Sequence, residues 1–414
     1  MRIAYLSSSL IPSRAANSVH VMKMCQTFAA LGNRVTLYAR AGDATSRRQH
    51  GCRSPWITLY ARQGDPTGIE VDDFARYGVE RCFRIVKCSR SRFQKLTGDL
   101  LYAREVASQV ARRPQPDLFF ARHIYSLARV AHSGAPMLFE AHTPPVNILQ
   151  KWVEAAVYRR GNFSRLVVIS RALAREYRRL FPWLTEDKIL VAPDAADPPG
   201  SVRSQPTSVN PPLVEWTARS GCLQAGYVGH LYAGRGIELI AALARRLPEI
   251  DFHLVGGMEK DIARCKQTCS ATNVHFHGYL PHVALSAVYE RFDVLLAPYQ
   301  NRVVGVGGKK EFSRWMSPLK IFEYMAAGKA IVCSDLPVLR EVLTDRVNAW
   351  LIPPQDISAW VEALRTLQAD ADLRLSLGRA AQRDFLTRHT WNKRAEFILG
   401  SVTRIVYHEE HEGH

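Results

Sequence analysis

The chain repeats one pattern in two blocks: a short apolar run of strand length, followed by a stretch with helical spacing. In the first block the apolar runs are 2–6, 35–39, 117–121, 136–141, 166–169 and 189–191. In the second block they are 223–228, 252–255, 274–276, 294–297, 330–333 and 350–352. This alternation predicts parallel strands joined by crossover helices, with both faces of each sheet covered. We therefore expect an α/β chain with two Rossmann-like, doubly wound domains.

A proline-rich stretch separates the two blocks. Residues 193–221 carry six prolines among small polar residues and have no apolar period, which is typical of a linker. The chain has 414 residues, more than one core usually serves. The predicted divisions are an N-terminal domain at 1–198, a linker at 199–221, a C-terminal domain at 222–385, a final helix at 386–407 and a disordered tail at 408–414.

The formal charge of +17 indicates an anionic partner. Three segments mix cations with aromatic residues, which suits an anionic membrane interface: 84–95, 159–165 and 175–183. The alternative is that these segments are ordinary solvated helix faces. No helix-turn-helix, zinc-finger or RNA-binding signature accompanies the charge, so we do not expect a nucleic-acid partner.

The apolar runs and the cysteines predict the compartment. No run approaches the roughly 18 apolar residues of a membrane-spanning helix, and the first residues do not resemble a secretory signal. Eight cysteines without a C-x-x-C pair indicate reduced thiols rather than disulfides or a zinc site. We expect a cytoplasmic protein, attached peripherally to the inner face of the plasma membrane, with no metal and no cofactor.

The segment 315–335 (WMSPLKIFEYMAAGKAIVCSD) predicts a short helix pressed against a sheet and followed by a buried strand. Ser317 suits the helix cap, Pro318 suits the first turn, and Gly328 can end the helix. Lys320 and Glu323 are three positions apart, so both can project from one side.

Those two charges near a helix amino end point to a specific ligand chemistry. The amino end of a helix attracts phosphate, and a lysine adds a cation to it. A nucleotide diphosphate sugar needs a cation and N–H groups for its diphosphate and a carboxylate for its ribose hydroxyls. The alternative is that Lys320 and Glu323 form a solvent-facing ion pair of little consequence.

Two further positions indicate a cleft. The strand 223–228 runs into the glycine-rich turn 229–236, where Arg235 brings a positive charge beside the start of a helix. Glu140 and His142 stand at the carboxyl end of the strand 136–141, where ligands gather in open α/β sheets. The alternatives are that Arg235 is an ordinary surface arginine and that His142 has a purely structural role. Glu140 shares the face of His142 and is a minor candidate for a nucleophile.

The sequence S-P-L-K-I-F-E-Y-M-A-A-G-K, followed by an apolar strand, resembles the donor-site helix of family 4 retaining glycosyltransferases of the bacterial surface-polysaccharide type. Those enzymes have the GT-B fold, in which two Rossmann-like domains face a central cleft. The resemblance implies that Glu323 binds the ribose and Arg235 the diphosphate. It further implies a final helix that crosses back to the N-terminal domain. The donor-binding set that it implies is Gly229, His230, Arg235, Ser317, Leu319, Lys320 and Glu323.

The resemblance also implies that His142 contacts the transferred sugar beside the reaction centre, and is therefore catalytic. Where the family usually has a glutamate that holds sugar hydroxyls, this chain has Trp315. The identity of the donor sugar therefore cannot be transferred from the family to this chain. Among the positions near residue 20, only His20 matches the family's usual pattern. The alternative is that His20 is a partly buried residue of the helix. The candidate acceptor or sugar contacts are Asn17, His20, Glu140 and Trp315.

The implied activity is retaining transfer of a hexose-type sugar from a nucleotide diphosphate sugar to a glycan or polyprenyl-linked acceptor. It implies no divalent metal, because Arg235 and Lys320 would balance the charge of the leaving diphosphate. One alternative is a nucleotide-sugar 2-epimerase of the same architecture, which would need carboxylate bases in the cleft. The other is a non-catalytic subunit that binds nucleotide sugar.

Overall fold

The structure is a computed structural model. It describes residues 1–13, 15–42, 72–88, 94–201, 216, 219–269, 271–280, 282–303, 311 and 313–411, and the side chains of all of these except 94–97, 283 and 403–411. Most of the predicted linker, part of the basic segment 84–95 and the last three residues of the predicted tail lie outside these ranges.

The N-terminal half forms a seven-stranded parallel sheet in the order β3-β2-β1-β4-β5-β6-β7. The strands are β1 Arg2–Ile11, β2 Arg34–Ala41, β3 Arg84–Cys88, β4 Leu118–Ala121, β5 Met137–Ala141, β6 Phe163–Val168 and β7 Ile189–Val191. The helices are α1 Ala16–Ala30, α2 Asp73–Tyr77, α3 Gln94–Ala111, α4 Ile124–Val130, α5 Ile148–Tyr158 and α6 Arg171–Leu180. The sequence did not predict β3, whose alternating charges give it no continuous apolar run.

The C-terminal half forms a six-stranded parallel sheet in the order β10-β9-β8-β11-β12-β13. The strands are β8 Leu223–Val228, β9 Ile250–Val255, β10 Val274–Gly278, β11 Val294–Ala297, β12 Ala330–Ser334 and β13 Trp350–Ile352. The helices are α7 Ile237–Arg246, α8 Glu259–Thr268, α9 Leu285–Glu290, α10 Leu319–Ala327, α11 Ile357–Ala369 and α12 Ala371–Arg388. The predicted architecture of two doubly wound parallel sheets is confirmed.

Each sheet is covered on both faces, and its central strands are apolar on both sides. In β4, Phe119 belongs to one core cluster and Phe120 to the cluster on the other face. In β12, Ile331 and Val332 divide in the same way between the two clusters of the C-terminal domain. Adjacent strand residues point to opposite faces, so a continuous apolar run fits a sheet with helices on both sides.

The last helix, α13 Trp391–His411, packs against the N-terminal domain. Its residues Trp391, Ala395 and Ile398 are buried in the cluster that also contains α1. Their spacing of three to four residues places them on one helix face. The helix begins later than the predicted residue 386 and extends beyond the predicted residue 407.

Hydrogen bonds join the two domains near the cleft. The Ser170 hydroxyl donates to the Trp315 carbonyl at 3.0 Å, and the Asp194 N–H donates to the Ser317 hydroxyl at 2.8 Å. The Glu341 carboxylate accepts the backbone N–H groups of Arg171 at 2.6 Å and Ala172 at 2.9 Å. A carboxylate of the C-terminal domain therefore caps α6 of the N-terminal domain, at the end where the helix dipole favours negative charge.

We expect Glu341→Ala to lower the free energy of unfolding by about 1 to 2 kcal/mol, since it leaves two helix N–H groups without their acceptor. Thermal and urea unfolding measure this effect. Glu362→Ala is the matched control, because Glu362 is an exposed residue of α11. Equal free energies of unfolding in the two variants would show that the contact of Glu341 with α6 does not stabilise the protein.

Three aromatic residues stack on the C-terminal sheet. The Trp216 ring lies parallel to His253 and His277, at centroid distances of 4.3 and 4.7 Å. Nδ1 of His253 is 2.9 Å from Nε2 of His277, and Nε2 of His253 is 2.7 Å from Oε1 of Gln224. Burial, followed by His277 and His275, lowers the pKa of His253 to about 3. Burial, followed by His275 and Arg291, lowers the pKa of His277 to about 4.

These pKa shifts predict an acid-labile fold. Because both folded-state pKa values lie below the ordinary value near 6.5, the unfolded chain takes up protons first as the pH falls. The stabilisation is therefore complete above about pH 6.5 and is lost toward about pH 4. We expect the midpoint of thermal unfolding to be lower at pH 5 than at pH 7. In His277→Gln, the difference between these two midpoints should be smaller. His132→Gln, at an exposed histidine, should leave the difference unchanged.

Candidate functional site

A glycine makes room for a buried lysine at the carboxyl end of β8. Gly229 has φ +146° and donates its N–H to the Val255 carbonyl at 2.8 Å. A Cβ built at Gly229 would lie only 2.8 Å from Nζ of Lys320. Glycine at this position thus allows both the backbone conformation and the close approach of the lysine.

Lys320 lies in the first turn of α10 and is 9% exposed. Its Nζ is 3.7 Å from the centroid of the Tyr227 ring and, within the described part of the chain, has no hydrogen-bond acceptor. Burial, followed by the neighbouring charge of Arg235, lowers the pKa of Lys320 well below its usual value. An ammonium without an acceptor is costly to bury. A bound anion would remove that cost.

Arg235 brings a second positive charge to the same place. Its guanidinium carbon and Nζ of Lys320 each lie 5.5 Å from the centroid of the Tyr299 ring. The turn that carries Arg235 is tight: Gly236 has φ +82°, and a Cβ there would lie 1.8 Å from the carbonyl oxygen of Pro298. The predicted pairing of the glycine-rich turn with the start of α10 is therefore present in the structure.

His230 completes the turn beside these cations. Its ring stacks on Tyr232 at a centroid distance of 4.8 Å, and its carbonyl accepts the Tyr227 hydroxyl at 2.6 Å. Burial, followed by Arg235 and Lys320, lowers the pKa of His230. The imidazole is therefore neutral near pH 7 and can offer a hydrogen bond rather than a charge.

Glu323 lies one helical turn after Lys320 and is held by two protein donors. Its carboxylate oxygens are 3.0 Å from Nε2 of His282 and 2.9 Å from the Tyr289 hydroxyl. Burial raises the pKa of Glu323, but the hydrogen bonds from His282 and Tyr289 outweigh it, so the net pKa is lowered. The carboxylate is thus ionised and fixed in place. The alternative of a solvent-facing pair with Lys320 is wrong, because Lys320 is buried and His282 forms the ion pair with Glu323.

Three predicted site positions, two in the donor-binding set and one a candidate sugar contact, lie at the boundary between the domains instead. α10 begins at Leu319 with Pro318 as its N-cap, so Ser317 does not cap it and instead accepts the Asp194 N–H. Leu319 packs against a core cluster of the N-terminal domain, and so does Trp315 against another. Trp315 packs against the N-terminal domain while it remains partly exposed, so its role as a sugar contact stays a prediction.

On the opposite side of the cleft, His142 follows β5 with 27% of its side chain exposed. Its Nε2 lies 2.6 Å from Oε1 of Glu140. Burial, followed by the charge of Arg122, lowers the pKa of His142 to about 4. A neutral imidazole has one N–H, and a carboxylate only accepts, so Nε2 carries the proton. Nδ1 is then an acceptor, suited to a sugar hydroxyl.

Glu140 and His20 are buried beneath His142 and cannot reach a substrate. The side chain of Glu140 is 0% exposed and that of His20 is 2% exposed. Oε2 of Glu140 accepts from Nη2 of Arg394 at 2.9 Å, and Oε1 lies 2.9 Å from Nε2 of His20. Burial raises the pKa of Glu140, but the charges of Arg394 and His20 and the hydrogen bond from His142 hold it well below its usual value. The predictions that Glu140 and His20 contact a substrate directly are therefore wrong, and so is the prediction of Glu140 as a nucleophile.

Other functional residues had no local signal in the sequence. Nδ1 of His20 lies 3.0 Å from Oδ1 of Asp194, and Arg394 comes from α13. Asn17 is exposed at the start of α1, and its carbonyl accepts Nη1 of Arg122 at 3.3 Å. These partners hold the group around His142 in place, and sequence spacing does not reveal them.

Among the described residues, two clusters bring together residue types that ligate metals: His20 with Glu140 and His142, and Asp251 with His253 and His275. In each cluster an arginine already binds the carboxylate. Arg394 donates to Glu140 at 2.9 Å, and Nε of Arg219 donates to Asp251 at 2.9 Å. A guanidinium so close to the carboxylate opposes a divalent cation, and both clusters therefore fit internal ion pairs better than metal centres.

Solved structures with the same architecture define the class of the fold. The structure titled Anabaena Alr3699/HepE in complex with UDP and glucose has a TM-score of 0.64, is 15% identical, and covers 97% of this chain and 99% of its own. WaaG, titled a glycosyltransferase involved in lipopolysaccharide biosynthesis, has a TM-score of 0.59 at 13% identity, with 96% of this chain and 100% of its own covered. The fold is therefore GT-B.

Family models match both halves of the chain. The model "Glycosyltransferase Family 4" matches residues 18–198, and the model "Glycosyl transferases group 1" matches residues 223–370. A phosphatidyl-myo-inositol mannosyltransferase of Mycolicibacterium smegmatis is 29% identical over 158 residues, which is 37% of this chain and 37% of that protein. The match therefore spans well under half of this curated relative. The N-terminal half of the chain is therefore similar to family 4 glycosyltransferases, and the C-terminal half to glycosyl transferases of group 1.

Proposed function

We propose that the protein is a retaining glycosyltransferase that moves a hexose-type sugar from a nucleotide diphosphate sugar to a glycan or lipid-linked acceptor of cell-surface polysaccharide synthesis. The observation that carries this proposal is the buried ammonium of Lys320. It has no acceptor within the described residues, and it lies 5.5 Å from the centroid of the Tyr299 ring, as does the guanidinium carbon of Arg235. Two cations over one aromatic ring, beside a glycine-rich turn at the start of α7, suit a diphosphate.

Each neighbouring group has a role in this proposal. The diphosphate binds Lys320 and Arg235, and the N–H groups of the turn near Gly229 add hydrogen bonds. The ionised Glu323, held by His282 and Tyr289, accepts from the ribose hydroxyls. His142 accepts a hydroxyl of the transferred sugar through Nδ1, because Glu140 occupies its Nε2.

The transfer step follows from these positions. The acceptor hydroxyl oxygen attacks the anomeric carbon on the face from which the diphosphate leaves. The bond between that carbon and the diphosphate oxygen breaks, and the hydroxyl proton passes to the departing diphosphate. Arg235 and Lys320 stabilise its growing charge, so the proposed reaction needs no divalent metal. Closure of the two domains would exclude water from the glycosyl centre.

The proposal also places the enzyme in the cytoplasm, on the inner face of the plasma membrane. The charge of +17 supports an anionic surface as a partner. Over the described stretches, no helix combines the length and the apolar character needed to cross a membrane.

A nucleotide panel tests the donor site. We expect one of UDP, GDP or ADP, or its sugar, to raise the melting temperature by several degrees at about 100 times its Kd, where binding adds about 2.7 kcal/mol. Glu323→Gln should weaken that shift because the ribose loses its ionised acceptor. Glu238→Gln, at an exposed position of α7, is the control.

Turnover of the matching nucleotide sugar then separates the candidate activities. Transfer to an acceptor with retention at the anomeric carbon, read by NMR, supports the proposal. Conversion of the donor without any acceptor would indicate the epimerase, and binding without turnover would indicate a non-catalytic subunit. No melting shift with any nucleotide would refute the donor site itself.

A further inference from the structure

Helix α5 carries an apolar surface that is exposed to solvent. Ile148 is 76% exposed and Trp152 is 73% exposed, while Val146 and Leu149 are each more than half exposed. These four residues follow one another through the start of the helix. Side chains of this size usually lie in a core, so a cluster of them at the surface marks an interaction site.

The exposed residues form one face of the helix, and the face changes character along its length. Ile148, Trp152, Ala156 and Arg160 are all exposed and spaced by four residues. The opposite face, with Val157 among others, is buried in the core of the N-terminal domain. The outer face is thus apolar at the amino end of α5 and cationic at its carboxyl end.

The stretch of sequence that contains this face is basic, although Arg178 pairs with Glu186 and Arg179 with Glu176. Between residues 146 and 183 the cations are Lys151, Arg159, Arg160, Arg165, Arg171, Arg175, Arg178 and Arg179. The only acidic residues in that stretch are Glu154 and Glu176. Glu154 is buried, and burial raises its pKa to about 7, so it adds little negative charge. The charge of this region therefore complements an anionic surface.

Aromatic residues join the cations to the apolar cluster. The guanidinium of Arg159 lies 4.2 Å from the centroid of Trp183, which is itself 40% exposed. Nζ of Lys151 lies 5.9 Å from the centroid of Phe181, and Phe181 contacts Trp183 edge to face at 5.9 Å. Tryptophan with long cationic side chains is the combination found at the interface between lipid headgroups and acyl chains.

The position of this face relates it to the candidate site. His142 follows β5, and residues 143–147 connect it directly to the start of α5. The exposed apolar residues therefore begin at the same sheet edge as His142, on the acceptor side of the cleft. Proteins that meet their substrate in water have no use for such a cluster there.

We propose that the α5 surface, defined as Val146, Ile148, Leu149 and Trp152 with Lys151, Arg159 and Arg160, docks on a bilayer that contains anionic lipid. The apolar residues enter the headgroup region, and the cations bind lipid phosphates. This orientation brings the hydroxyl of a lipid-linked acceptor to His142. This inference deepens the membrane attachment of the proposed function and rests on that function for the acceptor; it specifies which surface of the chain meets the bilayer.

Vesicle flotation tests the docking. The full chain is mixed with phosphatidylcholine vesicles, either alone or with about one third phosphatidylglycerol. We expect the protein to float with the anionic vesicles, and to be released by salt. Ile148→Ser combined with Trp152→Ser should lower the bound fraction at least about fivefold, since it removes the apolar contact. Leu375→Ser is the control, at an apolar residue of α12 that is 52% exposed.

The possible outcomes separate the two proposals. Binding of the double variant equal to that of the wild type, or no binding of the wild type to anionic vesicles, overturns the inference. A wild-type dimer in light scattering that becomes a monomer in the double variant also overturns it, since the surface would then bind a second copy. An unchanged melting temperature confirms that the variant is folded. We expect the double variant to keep the nucleotide-induced rise in melting temperature. If neither the wild type nor the double variant showed that rise, only the proposed function would be refuted.

Discussion

Lys320→Met should raise the stability of the free protein while removing most of its transfer activity. The ammonium is buried and has no acceptor within the described residues, so its desolvation costs about 1 to 3 kcal/mol or more. The contact with the Tyr227 ring recovers about 0.5 to 2 kcal/mol of this. Methionine fills similar space without a charge. We therefore expect a gain of about 1 kcal/mol in the free energy of unfolding.

The same substitution removes a charge-assisted contact to the leaving diphosphate. Hydrogen bonds to charged groups contribute about 1.5 to 3 kcal/mol, and more where water is excluded. We expect kcat/KM to fall by about 100-fold, which corresponds to about 2.7 kcal/mol of transition-state binding. The nucleotide-induced melting shift should fall with it.

Lys260→Met is the control for both measurements, because Lys260 is an exposed residue of α8 in the same domain. It should change neither stability nor turnover. Turnover of Lys320→Met within about threefold of the wild type would exclude Lys320 from the diphosphate site. A loss of stability would show instead that the lysine contributes to the core.

Arg394→Met should destabilise the protein by about 3 kcal/mol, because it removes the nearer of two arginines and leaves the buried carboxylate of Glu140 only Nε of Arg122, at 3.4 Å. Arg394 donates to Oε2 of Glu140 at 2.9 Å and to the carbonyl of Pro193 at 2.8 Å, and it is 3% exposed. Urea unfolding measures the loss. The effect is large because the arginine serves a buried charge and a backbone carbonyl at once.

Arg388→Met provides the contrast. Arg388 pairs with Asp384 at 2.6 Å, but its side chain is 64% exposed. A pair of this kind contributes about 0.2 to 1 kcal/mol. The double variant Glu140→Gln with Arg394→Met should be more stable than Arg394→Met alone, because no unpaired charge is buried. If Arg394→Met and Arg388→Met lost equal stability, the buried ion pair would have no special role.

Local patterns in the sequence were sufficient to predict the fold and one half of the candidate site. All six strands of the C-terminal sheet correspond to predicted apolar runs, since strands buried on both faces are apolar throughout. The glycine-rich turn and the start of α10 are each short motifs. Arg235 and Lys320 approach each other because both motifs follow strand ends at one edge of a parallel sheet.

The other half of the site depends on contacts that no motif contains. His282 and Tyr289, which fix Glu323, lie 41 and 34 residues before it. Trp315 stands at a position that resembles a sugar contact, yet it packs against the N-terminal domain. Strand alternation correctly placed Glu140 and His142 on one side, but alternation cannot show that α13 would close over Glu140.

The sequence by itself determined the two parallel sheets, the tight turn at Gly236 and the pair of cations at the strand ends, because periodicity and backbone conformation are properties of neighbouring residues. Only the tertiary structure decided which charged groups face the cleft. Burial and pairing depend on segments far apart in the chain, as with Glu140 and Arg394, which are 254 residues apart. Arg394, from the last helix, helps to keep Glu140 ionised. The ionised Glu140 accepts the N–H of His142, so Nδ1 of His142 is left as a hydrogen-bond acceptor.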